Sequence, residues 1–135
     1  MSIVGARRLL TINTGSSSLK AALYRLREDT TETPELRAEA SRIGSRDGGL
    51  RLADDCGETL DERRDGLPDH AAALDALMSR LRDLGLDRDD LLAAVGHRIV
   101  HGGDRHREPQ KVTLGLVADL TAGCAKIDPR RNFPA

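Results

Sequence analysis

Aromatic side chains are nearly missing from this chain: among 135 residues there is no tryptophan, and only Tyr24 and Phe133 carry an aromatic ring. Any core must therefore be built from Leu, Ile, Val and Ala, and with 32% charged residues against 39% hydrophobic ones it must be an economical core. Long apolar runs are missing too. None approaches the length needed to cross a bilayer, and the basic stretch Met1–Arg8 is followed by no apolar segment of signal-peptide length. The expectation is a soluble, cytoplasmic protein. A net charge of -1 gives no support for nucleic-acid or anionic-membrane binding. Cysteine is scarce: Cys56 and Cys124 lie far apart, in no metal-ligand spacing, and nothing suggests a secreted fold stapled by disulfides. Lysine is confined to Lys20, Lys111 and Lys126, and the excess of arginine reflects a GC-rich coding sequence better than a function. The length suits one domain with its own core rather than two.

Against this background one stretch stands out. Leu9, Leu10 and Ile12, broken only by Thr11, have the composition of a buried or half-buried strand. The run stops at Asn13-Thr14-Gly15-Ser16-Ser17-Ser18, a cluster of turn formers. Apolar alternation resumes at Leu19, Ala21, Leu23 and Leu26, with Lys20 at its entrance. Two strands joined by a Gly/Ser turn make a hairpin whose tip is crowded with hydroxyls and backbone N–H groups. Successive N–H groups can wrap an anionic oxygen, and Lys20 adds a full charge beside them. An ordinary polar turn has the same composition, so spacing has to decide. A P-loop fails because Leu19, not glycine, precedes the lysine. A nucleophile elbow fails because Leu19 follows Ser18 where glycine is needed.

Further along, Glu28–Pro34 reads as an exposed connection, and Leu36, Ala38 and Ala40 alternate with Arg37, Glu39 and Ser41 towards Ile43, as in a strand with one wet face. Gly44–Gly49 makes a turn before a short strand, Leu50–Ala53. Asp54–Gly66 reads chiefly as a charged, solvated loop with room for one more short strand. The clearest helix runs from Pro68 to Gly85, with Ala71, Leu74, Leu77, Met78, Leu81 and Leu84 on its core stripe and Gly85 as its left-handed cap. An apolar run from Leu91 to Val95 leads to a strand that ends at His97 and Arg98, before Gly102-Gly103. Arginine in that position pairs bidentately with a carboxylate or phosphate, although a surface salt bridge is the default for an arginine here. His97 and His101 have the spacing of a helical metal pair, but the segment reads as extended and no third ligand lies near. A last helix is expected over Leu116–Ala122. The fold class is thus α/β, with a mixed sheet that opens on an antiparallel hairpin.

Asn-x-Gly-Ser-Ser-Ser-x-Lys after a strand, followed downstream by Gly-His-Arg-x-Val-His-Gly-Gly, resembles the two signatures of the acetate kinase family, in family order, over Leu9 to about Leu120. The resemblance implies the N-terminal half-domain of a ribonuclease H-like, actin-like ATPase fold. It implies ATP and magnesium as co-substrate and cofactor, and acetate or another short-chain carboxylate as phosphoryl acceptor. Full-length relatives are implied to be homodimers. Residue by residue it places Asn13 at the magnesium, Ser16 and Ser18 at phosphate, Lys20 at ATP and Arg98 at the carboxylate of the acyl substrate; no catalytic residue is assigned. Family members run to roughly three times this length, with the active site in a cleft between two comparable domains. The stretch 123–135 departs from the family pattern, which sets residues 1–122 apart as a truncated N-terminal domain and 123–135 as a divergent, poorly ordered tail. Two readings follow: an acetate kinase of which half an active site is visible, or an inactive remnant or phosphate-binding half-domain without catalysis.

Overall fold

The computed structural model describes residues 7–26, 33–86, 92–99 and 105–127, with side chains up to residue 122. Residues 7–98 and 99–127 fall into two separate units. In the first, β1 (Arg8–Thr14), β2 (Leu19–Arg25), β3 (Leu36–Ser41), β4 (Gly49–Asp54) and β5 (Thr59–Arg63) follow one another as antiparallel neighbours. The helix α1 (His70–Asp83) then crosses to β6 (Leu92–Arg98), which pairs in parallel with β1 at the other end. The sheet order is β5-β4-β3-β2-β1-β6. The expected hairpin is present: Leu10 faces Leu23, Ile12 faces Ala21, and Asn13 faces Lys20.

Strand alternation puts Leu10, Ile12, Leu19, Ala21, Leu23, Leu36, Ala38, Ala40 and Leu52 on one face, all buried. The helix covers that face with Ala73, Ala76, Leu77 and Leu81, also buried. Each fully buried leucine contributes about 1.5–3 kcal/mol relative to exposure. The alanines matter differently: they let the helix backbone approach the sheet. This rotates the buried stripe away from the one read in the sequence. Ala71 and Leu84 are exposed, Leu74 and Met78 are only partly buried, and Ala73 and Ala76 take their places. Asp69 caps the helix start by accepting from the Ala72 N–H at 2.8 Å. Gly85, at φ +71°, ends it as expected, with Leu86 N–H donating to Leu81 O and Gly85 N–H to Arg82 O.

Three boundaries move. The charged segment after Asp54 is half strand, because Gly57 (φ +86°) turns the chain into a β4–β5 hairpin whose outer strand is a charged edge. Strand β3 stops at Ser41, since Arg42 adopts φ +53°. In the second unit α2 spans Leu114–Ile127, starting before Leu116 and running past Ala122 into the stretch set apart as a tail. Thr113 opens it, its hydroxyl accepting from Leu116 N–H at 3.1 Å. Residues 128–135, and with them the rest of the expected tail, lie outside the described residues. So do His101, Gly102 and Gly103, and the start of the β6 run at Leu91. No described helix is long and apolar enough to cross a membrane.

At the end of the sheet far from the hairpin turn, Arg8 is buried beneath the core. Its Nε and Nη2 donate to Glu35 Oε2 and Oε1 at 2.9 and 3.1 Å, closing a bidentate pair that staples β1 to the start of β3.

Candidate functional site

The face of the sheet away from α1 carries the residues between the core positions. Register aligns them in one row: Glu62 of β5, Arg51 of β4, Glu39 of β3, Lys20 of β2, Asn13 of β1 and Arg98 of β6. All six are exposed. Paired residues on neighbouring strands project to the same side, so Lys20, Asn13 and Arg98 stand side by side on that face. Lys20 and Arg98 flank Asn13 from either side, two strand spacings, or roughly 10 Å, apart. From Arg51 to Arg98 the row lines a shallow hollow of about 740 Å³ whose floor holds small residues, among them Thr11, Ala22, Ala53 and Gly96.

The two halves of the row differ in how their charges are used. Arg51 is tied down, with Nε donating to Thr59 Oγ1 at 2.8 Å and Nη2 to Gly57 O at 3.3 Å. Among the described residues neither Lys20 nor Arg98 makes an ion pair. Two cations without ion pairs among the described residues flank a neutral amide, with the Glu39 carboxylate on the far side of Lys20, so an anion can enter between them without displacing a salt bridge. A second hollow, around Arg42, Arg63 and Arg64, offers no such entry: Arg42 faces Asp47, Arg63 pairs with Asp65, and Arg64 pairs with Glu62. The Asp65 carboxyl is held below its usual range by the hydrogen bond from Arg63.

Immediately beyond the row lies the Gly15–Ser18 turn. Gly15 N–H donates to Ser18 O at 2.9 Å, and Ile43 N–H donates to Ser17 O at 3.0 Å. A methyl group added to Gly15 would sit 2.7 Å from the Ser18 hydroxyl, so a larger residue there would make that hydroxyl turn aside. Ser16 is exposed and Ser18 half-buried. Among the described residues the amide N–H groups of Ser16, Ser17 and Ser18 have no hydrogen-bond partner. They form the run of free donors that suits an oxyanion.

Of the residues singled out in the sequence, the structure thus brings Asn13, Lys20 and Arg98 into one row and puts Ser16 and Ser18 at its end. His97 is paired with Ile12 rather than Asn13, on the opposite face from Arg98, and its Nδ1 donates to Arg98 O at 2.8 Å. Three contributors escaped the sequence reading. Glu39 and Arg51 continue the row, as the alternation of their strands would have shown. His70 Nε2 donates to Gly15 O at 2.7 Å, a contact across 55 residues that no local pattern announces.

The row does not fit a magnesium ion held by protein alone. It offers one neutral oxygen, that of Asn13, between two cations, and Glu39 lies beyond Lys20. Magnesium asks for near-octahedral oxygen coordination and keeps waters and phosphate oxygens, so Asn13 fits as a single ligand to an ion carried by a polyphosphate. The acidic cluster Asp54, Asp55 and Cys56 sits at the opposite end of the sheet, and Asp54 Oδ1 already accepts from the N–H groups of Cys56 and Glu58.

Comparison with known proteins accords with this arrangement. A family model described as the acetokinase family matches residues 8–134, through both signatures and into the stretch that reads as divergent. The chain is 36% identical over 124 residues to an acetate kinase of Dichelobacter nodosus, covering 92% of this chain and 29% of that protein. It is 34% identical over 114 residues to an acetate kinase of Bacillus cereus, covering 84% of this chain and 28% of the relative. Its structure matches that of Porphyromonas gingivalis acetate kinase with a TM-score of 0.75 and 27% identity, over 94% of this chain and 31% of the other. The chain therefore spans less than a third of the length of these relatives, and its sheet is a partial domain of an actin-like ATPase fold. By sequence and by fold, it belongs to the acetokinase family.

Proposed function

We propose that this chain forms the phosphate- and carboxylate-holding wall of an acyl kinase, one that moves the γ-phosphoryl group of ATP to acetate or another short-chain carboxylate in the cytoplasm. The observation that carries the reading is the row Lys20–Asn13–Arg98, with its two uncommitted cations, set against three free amides of the Gly15–Ser18 turn. One carboxylate oxygen attacks the γ-phosphorus, the bond from that phosphorus to the β–γ bridging oxygen breaks, and acyl phosphate and ADP leave with no other bond changed. Such transfer asks the protein for position and charge rather than for covalent help.

In this reading the amides of Ser16 and Ser18, with their hydroxyls, receive phosphate oxygens, and Lys20 neutralises the same chain of phosphates. Arg98 takes the carboxylate in its planar fork from the other side of Asn13, so the two reactants meet above β1. Asn13 supplies one oxygen to magnesium, which when bound offsets charge on the phosphate oxygens. The site is open to solvent, so each contact is screened and worth about 1 kcal/mol or less. Family resemblance supports the reaction class; the length of the relatives makes the complete reaction a proposal for this chain.

The test is a division of labour. Lys20→Ala should weaken ATP binding about fivefold, the equivalent of roughly 1 kcal/mol, and leave acetate binding, read from broadening of its methyl resonance, unchanged. Arg98→Ala should do the reverse. Loss of the same ligand in both variants would overturn the assignment. In parallel, acetyl phosphate formed from ATP, magnesium and acetate is trapped as its hydroxamate.

A further inference from the structure

The Gly15–Ser18 turn is aimed by a residue that belongs to neither signature. His70 is the first residue of α1, and its Nε2 lies 2.7 Å from the carbonyl oxygen of Gly15. A carbonyl oxygen only accepts, so the ring must present Nε2–H to it. The peptide joining Gly15 to Ser16 is planar and trans, which forces its C=O and N–H to point in opposite directions. Drawing the Gly15 oxygen towards the helix therefore turns the Ser16 N–H away from it. The same logic holds two peptides on: Ile43 N–H takes the carbonyl of Ser17, and the N–H of Ser18 points the other way. Of the turn's other two carbonyls, that of Ser18 accepts from Gly15 N–H, and that of Ser16 has no partner among the described residues. With the carbonyls of Gly15 and Ser17 committed, the amides of Ser16 and Ser18 are held as donors without partners among the described residues. An unrestrained Gly/Ser turn would be free to flip these peptides and present carbonyl oxygens to an incoming anion.

We propose that His70 is a positioning residue that locks the Gly15–Ser16 peptide in the anion-accepting orientation, so that α1 carries the phosphate turn as well as covering the core. His70 touches no substrate in this arrangement and acts only through Gly15. The anchor is strong because the helix bearing it is itself fixed: Asp69 caps its first turn, and Ala73 and Leu77, on the next turns, are fully buried. The proposal rests on the phosphate-binding reading of the turn and names what keeps that turn in register.

The experiment uses the whole chain, 15N-labelled, and inorganic tripolyphosphate as probe. The amide resonances of Ser16–Ser18 are followed in wild type, His70→Phe and His70→Gln. Phe fills the ring's space without a donor; Gln restores an N–H. The expected result is a saturable shift in wild type, an apparent affinity reduced about fivefold or more in His70→Phe, and recovery to within about twofold in His70→Gln. Circular dichroism and the α1 amide resonances should be the same in all three, which a merely structural loss would not give. Wild-type affinity in a folded His70→Phe would overturn the proposal while leaving the phosphate turn intact. Equal weakening in Phe and Gln would overturn it as well, by showing that the donor is not what matters. Absence of any shift at Ser16–Ser18 in wild type would overturn the phosphate reading itself, and the role of His70 with it. Should His70→Phe fail to fold, His70→Ala and His70→Gln give the second contrast: weakened binding in the first with retained binding in the second supports peptide orientation, and unchanged binding in both, or equal weakening in both, overturns it.

Discussion

On one side of the sheet, Leu10, Ile12, Leu23, Ala38 and Leu52 lie beneath α1; on the other, the residues between them include Asn13, Lys20, Glu39 and Arg51, open to water. The same strands build both faces, and a shift of one position exchanges them. The covered face is nearly all Leu and Ala and gains from close packing; on the open face Arg51 and Glu62 are paired near β5, while Lys20 and Arg98 make no ion pair among the described residues. Among the described residues Lys20 and Arg98 make no ion pair and the amides of the Gly15–Ser18 turn have no partner, which is what the proposed anion site draws on. The buried packing lies under the helix and the proposed site on the open side, and His70 of the helix bonds the turn beside that site.

The comparison breaks most visibly through the core. Leu77→Ala, at a site with no exposure, should lower unfolding free energy by about 2–5 kcal/mol in urea titration, a large part of the stability of a small domain. Glu39→Ala, one strand position from buried Ala38 and Ala40, should change it by no more than about 0.5 kcal/mol. If the two variants were equally destabilised, the faces would not differ as described. Next in size is the buried charge. Arg8→Ala removes the bidentate partner of Glu35, but Glu35 keeps Arg25 at 3.6 Å and is a third exposed, so the loss should be nearer about 2 kcal/mol than the 3–5 of a fully buried pair. The same urea titration reads it.

Smallest is a charge pair away from both faces' work. Asp65 has its carboxyl pKa lowered by Arg63, so the pair favours the folded state at neutral pH, and that contribution disappears as pH falls through the depressed pKa of Asp65. Both partners are exposed enough that global stability should barely register it. The Asp65 carboxyl resonance should instead titrate lower in wild type than in Arg63→Gln; identical titrations would remove the pair.

The parts legible in the sequence were those set by local chemistry. Period-two alternation and a Gly/Ser cluster were enough for the β1–β2 hairpin, and Gly85 marked the end of α1 because only a left-handed cap suits that position. The stripe of α1 was misplaced by one to two residues because alanine fits either a core or a surface position, and the choice was made by how near the sheet allows the helix to come. Strand β5 was obscured by its charges, which an edge strand tolerates and a sequence pattern reads as loop. Of the candidate site, Asn13, Ser16, Ser18, Lys20 and Arg98 are singled out by the two signatures alone. That Asn13, Lys20 and Arg98 share a row depends on strand register, and the bond from His70 to Gly15 depends on the path of a helix; neither is written in neighbouring residues.

The account stands most directly on where an anion binds. With 15N-labelled chain and increasing ATP plus magnesium, amide shifts should gather at residues 13–20 and 96–98, weaken about fivefold in Lys20→Ala, and leave the arginine-rich hollow at Arg42, Arg63 and Arg64 unmoved. Shifts gathered at that hollow instead, with residues 13–20 silent, would contradict the assignment of the open face as the site.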